Sequence, residues 1–200
     1  CPPTVSSYVE LDVSGTVAVV PTAMAVWIDT EGDGVLDIII GNSGATDGAI
    51  YVMGLTSTSC AGNAAICLTG TVTTITASTS GFTGVCTSGG GSACLFGSSL
   101  AVVGDIDGDF VPDLAVGAEG DDCGGTDRGA VWILIMDVTS VRSNVRICSS
   151  SAGMPSGLIA TDGSNFGSSV SGAGDINGDG IPDIIIGSPK ELAVTTTWKE

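Results

Sequence analysis

Histidine is absent from the 200 residues, and lysine and arginine together number only five. The first absence removes the commonest general base and excludes both a Ser-His-Asp triad and a histidine-bearing zinc site. The second leaves 22 acidic side chains almost unopposed, at a formal charge of −17, which repels the phosphate backbone of nucleic acid and the anionic face of a membrane. Long apolar runs are missing too. Residues 37–40 and 130–136 are only strand length, far short of the roughly 20 residues that span a bilayer. No amphipathic helix pattern, Asn-x-Ser/Thr sequon or Cys-x-x-Cys pair occurs, so N-glycans, zinc fingers and dithiol redox sites are not expected. The Ser/Thr-rich stretch 69–83 is a candidate for O-linked sugar.

What is there suits short strands and tight turns. Hydrophobic residues make up 43% of the chain, glycine supplies 31 positions, and Val, Ile, Thr and Ser dominate the rest, enough to build a core and unlike a disordered tail. Seven cysteines are many for a cytosolic protein of this size. Proximity along the chain suggests Cys60 with Cys67, Cys86 with Cys94, and Cys123 with Cys148, each closing a loop between strands and leaving Cys1 for a segment not included here or for another chain. Buried reduced thiols are the alternative. With no leader visible and Cys at its start, the chain is expected to be a processed form or a fragment, and its localisation extracellular or cell-surface.

The chain aligns on itself three times: AVWIDTEGDGVLDIIIG from Ala25, VVGDIDGDFVPDLAVG from Val102 and GAGDINGDGIPDIIIG from Gly172. The leading aspartates Asp29, Asp105 and Asp175 lie 76 and 70 residues apart, a period that fits one multi-stranded unit per repeat. In the second copy, alternation and turn residues predict strands over 99–104, 113–118, 130–136 and 144–148, an up-and-down blade whose edges need neighbouring blades to cover them. Residues 5–20 and 192–198 read as further strands able to pair across subunits. Trp27 and Trp132 fall inside predicted strands and read as core, while Trp198 stays unassigned.

Each copy carries a nine-residue acidic loop. Asp105, Asp107, Asp109 and Asp113 hold positions 1, 3, 5 and 9, with the carbonyl of Val111 at position 7; the third copy has Asp175, Asn177, Asp179, Ile181 and Asp183, and the first Asp29, Glu31, Asp33, Val35 and Asp37. A turning loop that directs alternate residues inward supplies the six to eight oxygens at about 2.3–2.6 Å that calcium takes. Glu31 is one methylene longer than the usual residue, which suggests a looser or water-mediated site. Asp at position 9, no Glu at position 12 and no flanking helices separate these loops from EF-hands. A plain Asp-Gly turn is the alternative for any one copy. Yet half of the 22 acidic residues sit at these positions, and such clusters call for a divalent counter-charge. Up to three calcium ions are expected.

The stretches FGSSLAVVGDIDGDFVPDLAVGAEG and FGSSVSGAGDINGDGIPDIIIGSPK resemble FG-GAP repeats of the integrin α-chain propeller. In that family a Phe-Gly opening, a nine-residue calcium loop and a Gly-Ala-Pro after the second strand recur in each blade; Gly117-Ala118 and Gly187-Ser188-Pro189 stand in that last place here. The first copy has Gly41-Asn42-Ser43 there and lacks the Phe-Gly opening, and Phe110 replaces the small residue at loop position 6.

The resemblance implies an all-β fold of β-propeller-type, four-stranded antiparallel blades with calcium loops, incomplete as a closed ring in this chain. Residues 1–95 would form a divergent first blade with an N-terminal strand and disulfide loops, 96–165 the second blade and 166–200 a truncated third. The expected function is an extracellular calcium-binding structural or adhesion module, not an enzyme, that binds protein or glycan and assembles with further blades or subunits in a ring or fibre. The alternative is a propeller part, catalytic or not, of a secreted enzyme acting on polysaccharide or lipid, since paired carboxylates can cleave glycosides.

Overall fold

The computed structural model describes residues 20–44, 48–57, 67–76, 79–84, 86, 93–155, 157–159, 161–191 and 196–197. All regular structure among them is β, in three antiparallel sheets that follow the chain. The first holds β1 (Ala23–Val26), β2 (Ile38–Asn42), β3 (Ala49–Thr56) and β4 (Cys67–Ile75) in that spatial order. The second repeats the pattern with β5 (Phe96–Gly104), β6 (Asp113–Ala118), β7 (Ala130–Asp137) and β8 (Ser140–Cys148). The third holds β9 (Ser169–Gly174), β10 (Asp183–Gly187) and the short β11 (Thr196–Thr197). These are propeller-type blades, and among the described residues they do not close a ring.

The sheets stack face to face, and the core lies between them. Ile39, Ile50, Val52 and Ile75 of the first blade meet Leu114, Val116, Trp132, Leu134 and Met136 of the second. Phe82 stacks on Phe96, ring centroids 4.9 Å apart, and meets Trp132 edge-on at 5.2 Å. The other face of the second blade, with Val103, Ala115, Val131, Ile133 and Ile147, packs on Ile184 and Ile186 of the third. Because the second blade is covered on both faces, β6 is buried at every residue, whereas β9 alternates between exposed and partly buried residues. Among the described residues β9 has neighbours on one face only.

Main-chain contacts join the blades. Gly48 bridges Phe96 in parallel, and Gly129 bridges Phe166 in the same way. Thr22 Oγ1 donates to the Gly97 carbonyl at 2.8 Å, and Ser99 Oγ donates to the Gly167 carbonyl at 2.7 Å. A Cβ on Gly41 would run into the Gly97 carbonyl oxygen, and one on Gly117 into the Gly167 carbonyl oxygen. Each joint therefore needs a glycine in the second strand of one blade, a Phe-Gly pair in the next and a hydroxyl to bond its carbonyl.

Predicted and observed strands differ at their ends. β6 has the predicted bounds, and β7 runs one residue further. β5 begins at Phe96 and not at 99, because Phe96 still pairs with Ala118 across a bulge that absorbs Gly97, whose φ of 88° reads as a turn. β8 begins at Ser140 and not at 144: as an outer strand it alternates polar residues outward, which conceals it from a search for apolar runs. Trp27 is buried just beyond β1, and Trp132 is buried within β7. Trp198 and the predicted strand over 5–20, except an exposed Val20 outside any strand, lie outside the described residues; of 192–198 only β11 is described.

Candidate metal centre

The three acidic loops each link the first and second strands of a blade, and they fold alike. Asp105 accepts hydrogen bonds from the backbone N–H groups of Gly108 (2.7 Å), Asp109 (3.0 Å) and Phe110 (2.8 Å). Asp29 does the same for Gly32, Asp33 and Gly34, and Asp175 for Gly178, Asp179 and Gly180. At position 5 a carboxylate accepts from the N–H of position 7: Asp33 from Val35, Asp109 from Val111, Asp179 from Ile181. These bonds turn the chain so that alternate residues converge. The backbone N–H groups of Gly34 and Gly180 hold the carboxyls of Asp29 and Asp175 below the usual range.

Position 9 anchors the loop. In the first blade Asp37 accepts from the backbone N–H and hydroxyl of Thr30 with one oxygen and from the Leu55 N–H of β3 with the other, at 2.7 Å. Asp113 repeats this with Ile106 (2.7 Å) and with Met136 of β7 (2.9 Å). Both side chains are 0% exposed. Burial pushes the Asp113 carboxyl up, against the pull of the Met136 and Ile106 N–H groups. Asp183 accepts from Ile176 and Asn177, and its second oxygen takes the Asn177 side-chain amide at 3.3 Å.

In the second loop one carboxylate oxygen from each of Asp105, Asp107 and Asp109 lies within 4.8 Å of the others. The donors are all oxygen, with no histidine in the chain and no thiol in the loop, which fits a hard cation. Asn177 offers an amide oxygen at the corresponding place in the third loop, and Glu31 is exposed in the first.

The FG-GAP repeat family matches residues 96–134 and 166–196. The chain carries FG-GAP repeats. The first acidic loop lies outside both matched stretches. Among curated proteins, mouse integrin alpha-X is 35% identical over 106 residues, mouse integrin alpha-E 38% over 102 and human integrin alpha-IIb 35% over 96. These alignments cover 51%, 50% and 46% of this chain and 8% of each relative, so the chain spans under a tenth of the length of the relatives it matches.

In the FG-GAP chain Cys86 is bonded to Cys94 and Cys123 to Cys148, with Cα atoms 5.9 Å apart in each pair. Cys67 is also disulfide-bonded; Cys60 and Cys1 lie outside the described residues. Two residues near the second loop escaped sequence reasoning or gained meaning from the structure. Phe110 adopts φ 71° where Gly34 and Gly180 have 85° and 89°, so a left-handed position carries a bulky side chain, and that side chain is 94% exposed. Arg142, on β8, pairs with Asp107 at 2.6 Å and with Asp109. Its scarcity was the available signal: the arginines of the chain are Arg128, Arg142 and Arg146, all downstream of the second loop.

Proposed function

We propose that these FG-GAP blades form a non-catalytic, extracellular structural or adhesion module whose loops bind calcium and whose open faces take further blades or subunits. The observation that carries the reading is the threefold recurrence of one loop geometry, with positions 1, 5 and 9 held by the same backbone N–H groups. The holders of the ions are Asp29, Glu31, Asp33, Val35 and Asp37; Asp105, Asp107, Asp109, Val111 and Asp113; and Asp175, Asn177, Asp179, Ile181 and Asp183, the position-7 residues through their carbonyls. Bound calcium would supply the positive charge that clustered carboxylates lack and clamp each loop between its strands. The aspartates at positions 1 and 9 hold the loop shape through the bonds described above.

The similarity to integrin alpha chains supports an adhesion role with a protein or glycan ligand, and the disulfides suit an oxidising compartment. The blade divisions near 95 and 165 belong to the same proposal. Two features favour assembly with further blades. Ser169 stands at the third-blade position of Ser99, exposed, beside Gly187 as Ser99 is beside Gly117. Ile133, Ile135, Val145 and Ile147 of β7 and β8 line an apolar groove of about 350 Å³ with Ile181 and Pro182.

Calorimetry with calcium and magnesium tests the metal. The expected stoichiometry is near three, with magnesium weaker, and Asp105→Ala should remove one site; no binding, or equal affinity for magnesium, refutes it. Particle mass by light scattering, with and without a chelator, tests assembly, and a compact calcium-loaded monomer refutes that part.

A further inference from the structure

The second loop, unlike the first, has a cation of its own blade within reach. β8 pairs Ile135 with Ser143 and Met136 with Val141, so Arg142 is the extra residue of a β-bulge. A bulge re-aims the side chain it carries, and this one sends the guanidinium back to Asp107 and Asp109, 35 and 33 residues earlier in the chain. The equivalent place in the first blade follows from the register. Leu55, which donates to Asp37 as Met136 does to Asp113, pairs with Leu68, so Thr69 takes the place of Arg142. No lysine, arginine or histidine precedes Arg128, so the first blade has no basic side chain to offer its loop.

We propose that Arg142 is the resident counter-cation of the second loop and sets that site's calcium affinity by competing for Asp107 and Asp109. This rests on the calcium reading above. Two carboxylates that a metal would use are paired with a guanidinium, and calcium entry must release it or share those oxygens with it. Arg142 is half-exposed and can swing into solvent when displaced. The second loop therefore holds its shape without metal and exchanges metal more readily than a loop with acidic residues alone.

The test is calcium calorimetry on the full chain and its Arg142→Gln variant, with Asp105→Ala in each background to identify the second site. Arg142→Gln should tighten that site roughly five- to tenfold and leave the other two unchanged, with Arg142→Lys in between. Unchanged or weaker binding overturns the proposal. Thermal unfolding gives a second readout: the variant should melt earlier than the parent in chelator and at the same temperature in saturating calcium. An equal loss in both conditions makes Arg142 a structural prop only and also overturns it. If the second site takes no calcium in either protein, the calcium reading itself fails at that loop, an outcome visible from the stoichiometry of the unmodified chain.

Discussion

The second and third blades contain nearly the same loop, yet among the described residues the loops are anchored to different depths. Asp113, at the start of β6, reaches the Met136 N–H of β7 and is fully buried, while the described partners of Asp183 lie within its own loop. In the first two blades the ninth-position aspartate is thus a bracket between the loop and the third strand. The paired register of β10 with β11 would put Glu200 at the place of Met136, beyond the described residues.

The comparison breaks most visibly at that aspartate. Asp113→Ala leaves two buried N–H groups without their carboxylate and should cost about 3–5 kcal/mol in chemical denaturation in chelator, against about 1–2 kcal/mol for Asp183→Ala. Equal losses would mean that the Met136 bond does not set the two loops apart. A smaller contrast is expected at the joints. Gly117→Ala drives a methyl into the Gly167 carbonyl, fixed main chain of the next blade, and should destabilise by about 2–3 kcal/mol, whereas Gly187→Ala meets only the Ser169 hydroxyl, which can rotate, and should cost under about 1 kcal/mol. Urea midpoints of the two variants decide it. The smallest effect belongs to Phe110→Gly, which relieves a left-handed backbone at an exposed site and should stabilise the chain by about 0.5–1 kcal/mol; a loss of stability would show that the aromatic ring packs on something in solution.

The loops were legible in the sequence because their determinants are local: alternate carboxylates within nine residues, repeated in register. β6 and β7 were legible for a different reason, burial on both faces, which writes an unbroken apolar run. The ends of β5 and β8 were not, since a bulge and an outward polar face each interrupt the pattern that marks a strand. Arg142 was invisible as a partner of the loop because only the register of β7 on β8 brings it there. The hydroxyl bonds between blades span 75 and 68 residues and involve a threonine in one joint and a serine in the other, types too common to stand out.

Those joints have an evolutionary consequence. Their closest contacts are between glycine backbone and carbonyl oxygen, atoms that every sequence possesses, so the joint itself asks for few particular side chains beyond the glycines, the Phe-Gly pair and the hydroxyl. A tandem copy of such a unit therefore brings with it the main-chain half of the joint to its neighbour. The three copies differ after their second strands, as Gly41-Asn42-Ser43, Gly117-Ala118-Glu119 and Gly187-Ser188-Pro189, but share the glycine, and in the first two it meets the carbonyl of the next blade.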